Sequence, residues 1–174
     1  MALEDLGKSL QAGPLLEALE RHGVDFVVVG GVAGLAHGSS YPTYDLDVVY
    51  SRDPANLRRL AEALADIEVT FRGDPADLPF QPDARTLANG ANFTFDTEFG
   101  SFDILGDVAG LKSYDDLRGA SQLKRIAGVD VRVASLDHLI CMKQAANRTK
   151  DQLMVVEYVE LADEIRKRES TERD

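Results

Sequence analysis

The chain has 174 residues, 44% of them hydrophobic and 28% charged, and its 30 acidic side chains outnumber 19 basic ones for a net charge of −11. That length suits one domain with a real core, and the composition excludes disordered and collagen-like chains. Membrane insertion and secretion are not expected: no apolar run reaches the roughly 20 residues of a span, and residues 1–10 lack an apolar signal core. One cysteine and three histidines assemble neither an internal disulfide nor a Cys/His zinc set. The expectation is one cytoplasmic domain over residues 1–174.

In chain order, residues 14–22 predict a helix, with Pro14 at its first position, Leu15, Leu16 and Leu19 as its apolar stripe and Gly23 at its close. Val24 to Val29 is a short β-branched run, the pattern of a strand covered on both faces. It ends at Gly30 and Gly31, after which residues 32–37 read as a short helix. Loop residues around Pro42 lead to a second strand, residues 44–50, and Asp53 and Pro54 cap a helix to about Ala65. Residues 68–71 look strand-like and residues 73–90 look like loop with one short helix. Phe93 and Phe95 alternate opposite Phe102 and Ile104, predicting a hairpin about Phe99 and Gly100. Ser113 and Asp116 form a capping pair for a short helix, and Gly128, Val129 and Asp130 turn a second hairpin. Ser135 caps a helix to about Ala146; another spans residues 151–168, with a charged tail after it.

Asp45 and Asp47 lie two apart on a strand, so both carboxylates share a face and can share a hard cation. Spacing alone is weak, since 19 Asp in 174 residues give about two such pairs by chance. The Gly30-Gly31 pair before them strengthens the reading, because glycines at a strand-to-helix turn let backbone amides approach a phosphate. A dinucleotide-binding turn fits less well, as the glycine spacing departs from G-x-G-x-x-G and hairpins replace a parallel array. No nucleophile elbow surrounds Ser39 or Ser40, His37 reads as a packed or capping residue, and Cys141 reads as buried. Residues 121–150 reverse the acidic excess: Lys124, Arg125, Arg132, Lys143, Arg148 and Lys150 face only Asp130 and Asp137. A polyanion, if one binds, is expected there.

The run Gly30-Gly31-Val32-Ala33-Gly34-Leu35-Ala36-His37-Gly38, followed by Thr43-Tyr44-Asp45-Leu46-Asp47, resembles the signature of the nucleotidyltransferase superfamily with the polymerase-β-like fold. The resemblance is nearest to the AbiEii-type toxin nucleotidyltransferases. It continues at residues 100–106, where Asp103 matches a third carboxylate on a neighbouring strand, at residues 133–140, and from Lys143 to Asp151, where relatives place a helix-borne lysine and a basic-acidic pair. Two departures stand out: Tyr41 replaces an arginine four residues before the first Asp, and Gly31 stands where many members have serine. The arginine's task would then pass to Arg148 or Lys150.

The resemblance implies an α/β (α+β) fold with a curved, mixed sheet of about five strands and packed helices. It implies a transferase that moves a nucleoside monophosphate from an NTP, such as ATP, to a hydroxyl acceptor. Asp45, Asp47 and Asp103 would hold one or two Mg²⁺ ions, with Lys143 as the fourth catalytic residue. Gly30, Gly31, Thr43, Lys143, Arg148 and Lys150 would bind the nucleotide. The implied acceptor is RNA, such as a tRNA end, in a toxin-antitoxin or phage-defence setting with a cognate antitoxin as partner. Transfer to a protein or small-molecule hydroxyl is the alternative within catalysis. A non-catalytic nucleotide-binding or antitoxin-like partner, which Tyr41 favours, is the alternative outside it.

Overall fold

The computed structural model describes residues 9–73 and 81–173. The first eight residues and residues 74–80 of the expected loop lie outside the described residues. Helix α1 (Ala12–Arg21) buries Leu15, Leu16 and Leu19, and the chain reverses at Gly23, whose φ of 67° returns the amides of Gly23 and Val24 onto the carbonyls of Glu20 and Leu19. A side chain would strain that left-handed turn. Pro14 is the third helical residue rather than the first.

Strand β1 (Phe26–Val29) is buried along its whole length, as its uncharged sequence requires. Helix α2 (Gly30–Ala36) follows without a linker; β2 (Asp45–Tyr50) then runs antiparallel to β1. Asp53 caps α3 (Pro54–Ile67) by accepting from the Ala55 amide, and the short β3 (Thr70–Phe71) precedes the described part of the loop and α4 (Ala84–Asn89). The expected hairpin is β4 (Asn92–Thr97) and β5 (Gly100–Leu105), and β5 lies parallel to β2. Ser113 caps α5 (Tyr114–Ala120). A second hairpin, β6 (Gln122–Ile126) and β7 (Val129–Val133), joins β1 through β7, and Ser135 caps α6 (Leu136–Ala146) ahead of α7 (Thr149–Glu172).

The sheet order is β3-β4-β5-β2-β1-β7-β6, a mixed α/β arrangement of seven strands where about five were expected. The edges are formed by segments already read as strand-like, residues 68–71, and as a second hairpin, and both join the one sheet. Its turn occupies Ala127 and Gly128, both at positive φ, so Val129 and Asp130 already belong to β7. The chain after residue 168 continues α7 to Glu172, since its Glu-Ser-Thr-Glu sequence holds no Gly or Pro to break a helix.

Phe71, Phe93, Phe95 and Phe102 pack together on the β3-β4-β5 side, with Phe93 and Phe95 stacked at 6.2 Å. Each fully buried Leu, Val or Phe contributes about 1.5–3 kcal/mol, so this core can hold a strained polar edge. Cys141 is exposed, contrary to expectation, because α6 turns Leu136 and Leu139 inward instead. His37 is packed as expected, its Nε2 donating to the Ala134 carbonyl at 2.8 Å. Among the described residues no helix is long and apolar enough to cross a membrane.

Candidate active site

The parallel register of β2 and β5 sets Asp47 opposite Asp103 and Asp45 opposite Ser101. Residues at alternate positions of a strand share a face, so all three carboxylates meet on one side of the sheet. They line a single cavity of about 350 Å³ together with Gly31, Thr43, Tyr44, Lys143, Arg148, Lys150 and Asp151. Gly30 lines an adjoining cavity with Asp47, Lys143, Arg148 and Asp151. Eight of the nine residues expected at the site therefore line this one cavity, and Gly30 lines the one beside it.

The two glycines are needed for close approach. Gly30 has a φ of 66°, and a Cβ there would strike the Asp47 carboxylate; a Cβ at Gly31 would lie 2.7 Å from Cβ and Oγ1 of Thr43. A serine at position 31 would need the Thr43 strand entry to move, so the Gly31 departure and Thr43 are one steric choice.

Electrostatically the carboxylates are crowded. Burial, then the charges of Asp103 and Asp45, push the Asp47 carboxyl up to about 7, and Lys143 opposes this. Burial also raises Asp103, which shares a hydrogen bond with Asp47, while Arg72 works against that rise. Two neighbouring acids both pushed upward mark a site short of positive charge. Three hard oxygen donors in this state fit a divalent cation such as Mg²⁺ better than a soft metal. Among the described residues no three such side chains already stand in a metal-holding arrangement, and one Asp103 oxygen is taken by Arg72 at 2.8 Å.

Opposite chemistry occupies the α6–α7 junction. Asp151 is almost wholly buried, yet two hydrogen-bonded cations outweigh burial and hold its carboxyl below the usual range: Arg148 at 2.8 Å and Lys143 at 3.1 Å. Arg148 is also the N-cap residue of α7, and its amide donates to Asp151. Sequence reasoning left Asp151 out of the site set although it ended the matched run, and it missed Arg72 entirely. A lone arginine after a two-residue strand carries no signal until β4 and β5 are folded beside it.

The basic stretch at 121–150 does not form one patch. Lys143, Arg148 and Lys150 reach the acidic cavity, whereas Lys124 and Arg125 line a second one of about 630 Å³ that shares Thr43 with it. Arg125 is paired with Asp130, and Arg132 donates to Ser121. Elsewhere, His138 bonds Ser135 at 2.9 Å and Asp116 at 3.0 Å, an order that resembles a hydrolase triad. Ser135 Oγ also accepts the His138 amide as a helix cap, which accounts for the contact without nucleophilic chemistry.

No protein-family model matches this sequence, and no curated protein matches it. The fold does match solved structures. The lincosamide antibiotic adenylyltransferase LnuA, lincomycin-bound, superposes with a TM-score of 0.57 at 12% identity, over 88% of this chain and 99% of that one. The antibiotic-resistance factor ANT(2'')-Ia in solution gives 0.52 at 15% identity, over 92% and 91%. An antigenic nucleotidyltransferase-like protein from Paracoccidioides brasiliensis gives 0.51 at 12%, over 88% and 77%. The shared property is the nucleotidyltransferase fold.

Proposed function

We propose that this protein is a nucleotidyltransferase that moves a nucleoside monophosphate from an NTP to a hydroxyl acceptor. The observation that carries this reading is the meeting of Asp45, Asp47 and Asp103 in one cavity with Lys143, Arg148 and Lys150. The shared fold supports it. In the reaction the acceptor oxygen bonds to the α-phosphorus, the bond from that phosphorus to the bridging oxygen breaks, and pyrophosphate leaves.

Asp45, Asp47 and Asp103 would hold one or two Mg²⁺ ions, which when bound neutralise the triphosphate and acidify a hydroxyl. Lys143, Arg148 and Lys150 attract the β and γ phosphates, with Lys143 and Arg148 held in place by Asp151. Gly30 and Gly31 let Asp47 and Thr43 pack directly against the strand-to-helix turn, where the nucleotide would bind. Asp103 orients the metal that acidifies the acceptor hydroxyl or itself accepts the proton that hydroxyl loses.

We take the acceptor to be RNA, such as a tRNA end, in a toxin-antitoxin or phage-defence setting with a cognate antitoxin. The AbiEii-like motifs and the exposed Arg148 side chain beside the cavity support that choice. A small hydroxylated molecule is the second reading, favoured by the fold's occurrence in a lincomycin-bound adenylyltransferase. Incubation with each α-labelled NTP, Mg²⁺ and total RNA or lysate tests these readings. Label in RNA, absent with Asp45→Asn, is the expected result. Label only in small molecules or protein overturns the RNA acceptor; no label at all, despite Mg²⁺-NTP binding, favours the non-catalytic alternative that Tyr41 suggests.

A further inference from the structure

Among the described residues, Asp103 is the one of the three carboxylates that an arginine grips, and the way it is gripped defines a role for that arginine. Arg72 follows β3 and reaches across the β4–β5 hairpin. Its Nη2 donates to Asp103 Oδ1 at 2.8 Å and to the Phe95 carbonyl at 3.1 Å, and its Nε donates to Asp96 Oδ1 at 3.3 Å. Its own amide donates to the Thr94 carbonyl. Asp96 in turn accepts from Ser101 at 3.4 Å. The guanidinium is thus fixed by a backbone carbonyl and a second carboxylate before it touches Asp103, and its planar fork leaves little freedom in where that contact falls.

We propose that Arg72 is a positioning residue that presents Asp103 to the divalent cation through one oxygen. Holding Oδ1 fixes the carboxylate's rotation and leaves Oδ2 for the shared site with Asp47 and Asp45. Arg72 also adds a permanent positive charge beside the three carboxylates. Asp96 and the Phe95 carbonyl keep that charge from swinging into the cavity and competing with the cation. Partners that orient a metal-binding carboxylate are known to matter nearly as much as the ligands themselves.

The inference rests on the metal reading above, and the experiment separates the two. Mn²⁺ is titrated into the nucleotide-free protein, and the free ion is followed by electron paramagnetic resonance. Wild type should show a site that Asp47→Asn abolishes. Arg72→Met should weaken it by about tenfold or more, Arg72→Lys should recover part of the loss, and Asp96→Asn should fall between wild type and Arg72→Met. Arg118→Met, which breaks a comparable ion pair with Asp25 away from the site, should leave Mn²⁺ affinity unchanged. If Arg72→Met does not fold, Arg72→Lys and Asp96→Asn read the same constant. Equal or tighter Mn²⁺ binding by the folded Arg72 variants overturns the positioning role and leaves the metal site standing. A wild type with no site sensitive to Asp47→Asn overturns the metal reading and this inference with it.

Discussion

The two ends of the candidate site carry the same residue type in opposite states. On the strands, Asp47 is pushed up to about 7 by burial and by Asp103 and Asp45. At the α6–α7 junction, Asp151 has almost no exposed surface, yet Arg148 and Lys143 hold it below the ordinary range. Burial works to raise both, but Asp47 is surrounded by other carboxylates whereas Asp151 has two cations within hydrogen-bond reach. The junction is electrostatically complete in the protein alone, whereas the strand cluster reaches its balanced state only with charge brought from outside. On the proposed function, that contrast assigns the cation to the strand end and the supporting wall to the junction.

The largest effect tests the unbalanced end. Asp47→Asn should reduce nucleotidyl transfer by roughly 10³-fold or more, because it removes a ligand and a charge from the reacting centre. In metal-free buffer the same variant should melt no lower than wild type, since a repelled carboxylate is lost. Addition of Mg²⁺ and NTP should raise the melting temperature of wild type alone. A variant that is both less stable without metal and still stabilised by Mg²⁺-NTP would reverse the assignment of the two ends.

At the balanced end, Asp151→Asn should destabilise the fold by about 3 kcal/mol, the low end for a broken buried pair because the Arg148 arm is largely in solvent. Chemical denaturation at neutral pH measures this. The pH dependence has a definite sign. A carboxyl lowered by folding contributes its full stabilisation above the unfolded value of about 3.9 and loses it as pH falls through the lower folded value. Wild type and Asp151→Asn should therefore converge in stability below about pH 4. A gap that stays constant down to pH 2 would assign the loss to packing rather than to the ion pairs.

A smaller change probes the glycine that lets the two ends meet. Gly31→Ser should cost about 1–3 kcal/mol through its clash with Thr43, and Thr43→Gly in the same chain should recover part of it. Thermal melts of the single and double variants read the coupling directly. Independent, additive effects would mean that the Gly31 position is not set by Thr43.

Much of this was legible in the chain because it rests on short-range rules. The β1-turn-α2 unit shows in Val24 to Gly31, and the shared face of Asp45 and Asp47 follows from a spacing of two. Asp103 was legible only through the family resemblance, because its place beside Asp47 needs the parallel β2–β5 pairing. Less legible were features fixed by partners distant in sequence. Arg72 acquires meaning only when β3 docks on β4, 24 residues from Asp96 and 31 from Asp103. The edge strands depend on pairing that local pattern does not state. The basic run from 121 to 150 looks like one patch in sequence, but the β6–β7 hairpin and the α6–α7 corner carry its halves to two cavities.

That division sets the smallest expected effect. Arg148 and Lys150 lie at the acidic cavity, so they meet a triphosphate first and a longer polyanion second, whereas Lys124 and Arg125 lie beyond Thr43 and meet only a ligand long enough to reach them. Each cation that contacts an RNA phosphate releases counterions and steepens the fall of affinity with salt by about 0.7 in log-log slope for a single strand. With a non-hydrolysable NTP bound, Lys124→Ala with Arg125→Ala should therefore flatten the salt dependence of RNA binding by up to about 1.4 and leave NTP affinity unchanged. Arg148→Ala with Lys150→Ala should weaken NTP binding as well. Fluorescence anisotropy of a labelled RNA over a salt series reads the slope, and a separate NTP titration reads the control. An unchanged slope for the Lys124 and Arg125 pair would confine the ligand to the acidic cavity, and a small hydroxylated acceptor would then fit the site better than RNA.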